Sequence, residues 1–281
     1  MIPANFEYHR AGSVDEALSL LAQHDGNAKV LSGGHSLIPA LKLRLNQPAA
    51  LVDIARIADL RYIRLDGQHI AIGAASTHKD IATSALLAEH ISMMPQAAAL
   101  IGDPQVRNVG TIGGSIAHAD PAADWPGVLL AADAQIVLRS AGGTRTLAAQ
   151  DFFLGFFTTA LQEGEILTEI RVPVPAAGTK STYQKFSQPA SRFAIVGCAA
   201  MATLSGGTFT HVRVAFNGVA DGCFRDTNVE KAMEGATAEN IAAAAAHAAQ
   251  GVSILSDHYA AEDYRQHLAQ VYAKRALSAL V

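Results

Sequence analysis

The chain has 281 residues, 50% of them hydrophobic and 16% charged, which is enough apolar material for a sizeable core. The charge balance, 21 − 25 = −4, has no basic run behind it and excludes a nucleic-acid surface. Two cysteines, Cys198 and Cys223, show neither metal spacing nor a disulfide framework. The N-terminus has no charged region followed by an apolar stretch, and the alanine-rich segments are broken by charge, so a cytoplasmic chain with no membrane insertion is expected.

In chain order, residues 13–24 predict a helix, with Ser13 as N-cap, Glu16 at the capping-box position and Ala17, Leu18, Leu20 and Leu21 as its apolar face. Ala28–Leu31 is a short strand, Leu37–Leu45 a short helix with Pro39 in its first turn, and Leu51–Ile54 a strand. Residues 1–56 therefore read as one β-α-β-like unit. Arg61–Leu65 and His69–Gly73 predict a hairpin around Asp66-Gly67. Thr77 caps a helix to residue 82, and a longer helix is expected over 86–101, ending near Gly102. Gln135–Arg139 and Arg145–Leu147 pair around Gly142-Gly143, and Ile166–Val172 is a strand closed by Pro173 and Pro175. The prolines with Ala176-Ala177-Gly178 mark a linker. Ser181–Phe186, Ala194–Leu204 and Phe209–Phe216 predict a small antiparallel sheet, followed by helices over 228–233, 238–249 and 262–280. The division expected is thus 1–56, 57–175 and 176–281, in an α+β fold.

Two glycine-serine segments stand out: Val30-Leu31-Ser32-Gly33-Gly34-His35-Ser36 and Gly110-Thr111-Ile112-Gly113-Gly114-Ser115. Glycine admits positive φ and close approach of a ligand, and consecutive N–H groups in such turns form anion nests. Neither segment is a P-loop, since no Gly-Lys-Ser/Thr follows, and neither is G-x-G-x-x-G. Taken alone they are either plain connecting turns or two grips on one diphosphate.

The surrounding strings go further. Val30 through Pro39 with Lys42-Leu43-Arg44 closely resembles the first FAD-binding loop of carbon monoxide dehydrogenase medium subunits. Val106 through Ser115, with Ala117 and Asp120-Pro121-Ala122-Ala123-Asp124, is similar to that family's second loop. Phe6 with Arg10 resembles its opening. Tyr183-Gln184-Lys185-Phe186 and Arg192-Phe193-Ala194-Ile195-Val196 resemble the start of its C-terminal domain. The resemblance runs in order over essentially the whole chain.

It implies a PCMH-type, vanillyl-alcohol-oxidase-like FAD fold of two subdomains plus a C-terminal domain. It implies the FAD subunit of a molybdenum hydroxylase, in a heterotrimer or dimer of heterotrimers. A small subunit would carry two two-iron two-sulfur clusters and a large one molybdopterin. By the same resemblance Val30, Leu31, Ser32, Gly33, Gly34, His35, Ser36 and Leu37 line the diphosphate and ribityl part. Thr111, Gly113, Gly114 and Ser115 meet it from the other side, and Ala117 falls in the contacted run. Ile101 and Gly102 form part of the adenine or isoalloxazine wall, and Leu167 packs on the flavin ring. Asp124 hydrogen-bonds the cofactor, or is instead a helix N-cap before Trp125-Pro126. Lys185 lies at the ring's polar edge, or is a solvated lysine on an edge strand. No catalytic residue and no metal ligand is expected; His35 sits inside a backbone-lined loop, and His78 and His118 lack partners at ligand spacing. A free-standing FAD oxidoreductase of the same superfold and a non-enzymatic nucleotide-binding module are the competing readings.

Overall fold

The computed structural model describes all 281 residues. The first unit runs β1 (Glu7–Arg10), α1 (Val14–Gln23), β2 (Ala28–Leu31), α2 (Leu37–Lys42) and β3 (Ala50–Asp53). Its strands form a parallel sheet in the order β1-β3-β2. The central strand is buried and almost wholly apolar, as a parallel strand covered on both faces must be. Ser13 caps α1 by accepting from Glu16 N–H, but the Glu16 carboxylate reaches Gly12 N–H at 2.7 Å instead of closing the box on Ser13. The expected helix over 37–45 ends at Lys42, and Arg44 turns to φ 58°.

The second unit opens with β4 (Ile63–Asp66) and β5 (His69–Gly73). Helices α3 (His78–Ala82), α4 (Ala85–His90), α5 (Met93–Leu100), α6 (Pro104–Val109), α7 (Ile112–His118) and α8 (Asp124–Ala131) follow. Then come β6 (Gln135–Ser140), β7 (Gly143–Ala148), α9 (Ala149–Phe152), the small hairpin β8 (Phe153–Gly155) and β9 (Thr158–Thr159), and β10 (Ile166–Pro173). The sheet order is β4-β5-β10-β6-β7. Ile70, Ile72, Ile136, Leu138, Ile170 and Val172 turn one face inward onto Trp125, Val128, Leu129, Met93 and Met94.

The single helix expected over 86–101 is two, broken at Ile91-Ser92. Pro95 is the cause. Inside one long helix its ring would strike the carbonyl of Ile91; in α5 it sits in the first turn, where no N–H is missed. Ser92 is then held from outside, its hydroxyl donating to the Ser181 carbonyl at 2.6 Å.

The third unit is the antiparallel sheet β11 (Thr179–Ser187), β12 (Ala194–Ser205), β13 (Thr208–Asn217) and β14 (Phe224–Arg225). Helices α10 (Thr227–Met233), α11 (Ile241–Ala245) and α12 (Glu262–Ser278) cover one face. The other face places Tyr183, Ala199, Met201 and Ala215 in the core of the second unit. The expected helix over 238–249 shortens to a 3₁₀ turn and α11, because the Asp226 carboxylate draws Ala249 N–H to 2.6 Å and Ala249 sits at φ 58°. No helix is long and apolar enough to cross a membrane.

Strand β11 is stitched along α5. The Ser92 hydroxyl donates to the Ser181 carbonyl, Gln96 Oε1 accepts from Tyr183 N–H at 2.9 Å, and Lys185 Nζ donates to the Leu100 carbonyl at 3.3 Å. Contacts every four residues of helix meet contacts every two residues of strand. The two rises agree, at about 6 Å for four helical residues and about 6.6 Å for two strand residues.

Candidate functional site

The first glycine-serine segment leaves the carboxyl end of β2, the end at which α/β sheets place ligands. Val30 and Leu31 finish the strand, and Leu37 starts α2. Between them, the backbone N–H groups of Ser32, Gly33, Gly34, His35 and Ser36 donate to no protein acceptor. Gly34 sits at φ 72°, the left-handed conformation a nest requires. His35 and Ser36 are exposed.

The second segment is built differently. Its glycine pair lies in the first turn of α7, not in an open loop, and neither glycine has positive φ. Its N–H groups from Ile112 to Ser115 are already used: Ile112 donates to Ser76 O, Gly113 to Ala74 O, Gly114 to Thr111 Oγ1 and Ser115 to Thr111 O. The expectation of a nest on both sides therefore holds only for the first segment. What the second offers is a bare surface at exposed Gly114, with half-buried Ser115 and Ala117 beside it. A Cβ on Gly113 would lie 2.6 Å from that of Ala74, so that glycine serves packing of α7 on the sheet.

The two segments touch. Ser32 Oγ and Thr111 Oγ1 are 3.0 Å apart, and a Cβ on Gly33 would stand 2.6 Å from Val109 O and 2.7 Å from Gly110 Cα. Gly33 is required because another backbone lies against it.

Ile101 and Gly102 follow α5 half-buried, with Gly102 at φ 47°. Arg107 fixes this turn, donating through Nη1 to both carbonyls at 2.9 and 3.3 Å. Leu167 is a core residue, 5% exposed, next to a bulge in β10. Asp124 and Lys185 meet each other. Lys185 Nζ stands 2.7 Å from Asp124 Oδ2, with the lysine side chain fully buried, so it is not a solvated edge lysine. Asp124 is the first residue of α8; the N-cap is Ala123, which corrects the capping alternative. Its other oxygen accepts from the Tyr183 hydroxyl. Burial pushes the Asp124 carboxyl up, opposed by Lys185 and Tyr183, and pushes the Tyr183 phenol up beside that carboxylate. Since the phenol proton goes to Asp124, the Asn217 amide 3.3 Å from the Tyr183 oxygen should present its NH₂ there. The opposite assignment leaves the buried Nδ2 without a partner.

Residues 4–175 match the family model for the FAD binding domain in molybdopterin dehydrogenase, and residues 181–280 that for the CO dehydrogenase flavoprotein C-terminal domain. The chain belongs to this flavoprotein family. It is 42% identical to the carbon monoxide dehydrogenase medium chain of Hydrogenophaga pseudoflava, covering 99% of this chain and 98% of that one. It is 39% identical to the glyceraldehyde dehydrogenase medium chain of Sulfolobus acidocaldarius, covering 98% of each. The solved carbon monoxide dehydrogenase of Hydrogenophaga pseudoflava lacking the Mo-pyranopterin moiety superposes with a TM-score of 0.96, at 44% identity, over 100% of this chain and 98% of that chain. The expected family and the α+β fold are therefore established, and with them an FAD-binding subunit of an oxidoreductase.

In this molybdenum hydroxylase flavoprotein His78, weighed from the sequence only as a metal ligand, has a different place. It is 5% exposed, accepts from Trp125 Nε1 through Nδ1 at 3.1 Å, and donates its backbone N–H to Gly110 O. Burial, with His35 and Arg107 nearby, lowers its pKa to about 4, so the ring is neutral and free to accept. It links α8 to the second glycine segment. The available signal was Thr77 three residues before Asp80, a capping box that sets His78 as the first helical residue. Both thiols are pushed up by burial, Cys223 to about 12, and so carry no thiolate character.

Proposed function

We propose that this chain is the electron-relaying subunit of a molybdenum hydroxylase complex. It receives electrons from two-iron two-sulfur clusters of a small subunit and passes them to an external acceptor, while a large molybdopterin subunit oxidises the substrate. The carrying observation is the run of N–H groups without protein partners from Ser32 to Ser36, clamped by Ser32 and Gly33 against Thr111 and Gly110. Such a run fits a diphosphate, whose oxygens accept what the backbone leaves unused. The relatives support the same reading: two medium chains, each matched over nearly its whole length, are named for different substrates, carbon monoxide and glyceraldehyde. A subunit common to such complexes is one that does not select the substrate.

In this reading the FAD is held between residues 1–56 and 57–175, with 176–281 as a third domain. Val30 to Leu37 bind the diphosphate and ribityl part. Thr111, Gly113, Gly114, Ser115 and Ala117 close the other side, with the Ser115 hydroxyl as donor and Gly114 leaving room. Ile101, Gly102 and Leu167 flank the rings. Asp124 and Lys185 act as one polar unit behind that wall, Lys185 holding the Leu100 carbonyl and so the position of Ile101. When bound, FAD supplies exchange of electrons both singly and in pairs.

The purified chain should be yellow, release FAD on acid precipitation, and oxidise neither carbon monoxide, aldehydes nor N-heterocycles by itself. Protein that stays colourless with added FAD would overturn the cofactor site. Turnover by the isolated chain would favour a free-standing oxidoreductase. In the whole complex stripped of FAD, substrate should still bleach the iron–sulfur absorbance while acceptor reduction stops; continued acceptor reduction would overturn the relay.

A further inference from the structure

A second cluster lies in the first unit, with no contact to the glycine segments. Glu7 and His9 are two apart on β1 and so share a face. His24 is the C-cap of α1, which returns over the same sheet. The donor atoms of Glu7, His9 and His24 all lie within 4.8 Å of one another. Glu7 Oε2 and His9 Nε2 are 3.2 Å apart, and the two imidazole rings are 5.5 Å apart.

We propose that Glu7, His9 and His24 form a divalent transition-metal site, with zinc as the fitting class of ion. Two imidazoles and one carboxylate are the donor set of three-ligand zinc sites that keep further positions for water. Both backbones are held independently of any ion. The ladder to β3 pairs Glu7 with Ala50 and His9 with Val52. Behind His24, the chain turns through Asp25 at φ 43° and Gly26 at φ 79°, and Asn27 N–H closes on the His24 carbonyl at 2.8 Å. The donors have few other claims on them. Glu7 and His9 pair only with each other, and the His24 ring makes no hydrogen bond. The nearby Arg10 is spent on Tyr8 and Asp53. Finally, α1 carries no basic residue in its last turn, so the negative end of its dipole has no cation of its own. A bound ion would supply one and tie β1 to α1.

The test uses the full FAD-loaded chain without an affinity tag, titrated with zinc chloride by calorimetry in a non-chelating buffer. One equivalent should bind. H24A and the H9A/H24A pair should bind at least tenfold more weakly, E7Q should show a smaller loss, and H118A should match the parent. Glu7 is exposed and His9 and His24 are half-buried, and retained flavin absorbance verifies folding of each variant. X-ray absorption at the zinc edge should show imidazole scattering in the parent. Absence of a saturable equivalent in the parent, or an unchanged affinity in H9A/H24A, would overturn the site.

Discussion

Gly33→Ala is the sharpest test of the clamp. Ordinary contact for a Cβ begins at 3.4 Å, whereas here it would meet Val109 O at 2.6 Å, so the two backbones must part by about 0.8 Å (3.4 − 2.6). The Ser32–Thr111 hydroxyl pair then opens from 3.0 Å to about 3.8 Å, beyond hydrogen-bond reach. The lost bond is worth about 1 kcal/mol and the overpacking about 1–3 kcal/mol. If the closed arrangement is the one that holds FAD, a total of about 2–4 kcal/mol appears as about 30- to 700-fold weaker binding. The free chain can relax by parting, so its Tm should change little while the FAD-loaded Tm falls. Apoprotein titrated with FAD by flavin fluorescence quenching measures this directly. The control is Gly34→Ala, which costs about 1–2 kcal/mol for its φ of 72° but meets only side-chain ends, those of Ile38 and Leu31, and no backbone. A Gly33→Ala variant within threefold of the parent Kd would refute the argument that the segments must touch.

Thr111→Val removes the cap of α7 and the partner of Ser32, so Tm by calorimetry should fall, at about 2–4 °C per kcal/mol lost. Lys185→Met leaves the buried Asp124 carboxylate without its cation and should cost about 3–5 kcal/mol at neutral pH in urea unfolding. Its sign with pH follows from the raised Asp124 carboxyl: burial opposes ionisation, the variant opposes it more, and its deficit should shrink as pH falls and the native carboxyl takes up a proton. His78 titrates the other way. Its folded pKa of about 4 lies below the unfolded 6.5, so stability is lost as pH falls through that window, by about 3 kcal/mol in all. His78→Gln, which keeps an acceptor for Trp125, should flatten that slope in unfolding measured at pH 7 and pH 5; an equally steep slope would remove His78 from the account.

Local chemistry made much of the fold legible. Ser13 as N-cap, the hairpin beside Asp66-Gly67 and the strand that ends at Pro173 each rest on signals acting within a few residues, and each lies within a residue of where it was read, although Glu16 turns to Gly12 and does not close the box on Ser13. The helix over 86–101 was misread because Ala-rich periodicity outweighed Pro95, which acts on a carbonyl four residues back. At the site, the glycine pairs were legible as special but not why. Gly33 answers to residues 109–111 and Gly113 to Ala74, and such distances in sequence leave no periodic trace. The Asp124–Lys185 pair was invisible for the same reason: 61 residues separate two side chains that each read as facing a ligand.

The matched spacing of β11 and α5 has a consequence for how this chain is taken apart. The linker at 176–178 is a break in composition, yet three residues beyond it Ser181 begins a row of bonds running the length of α5 to the Leu100 carbonyl. Because the two spacings agree, strand and helix behave like toothed racks in mesh: a pull on one moves all the contacts together or none. A displacement imposed on the C-terminal sheet by a neighbouring protein would arrive at Ile101 and Gly102 undiminished, and a protease cut at the linker would sever the chain without freeing its two halves.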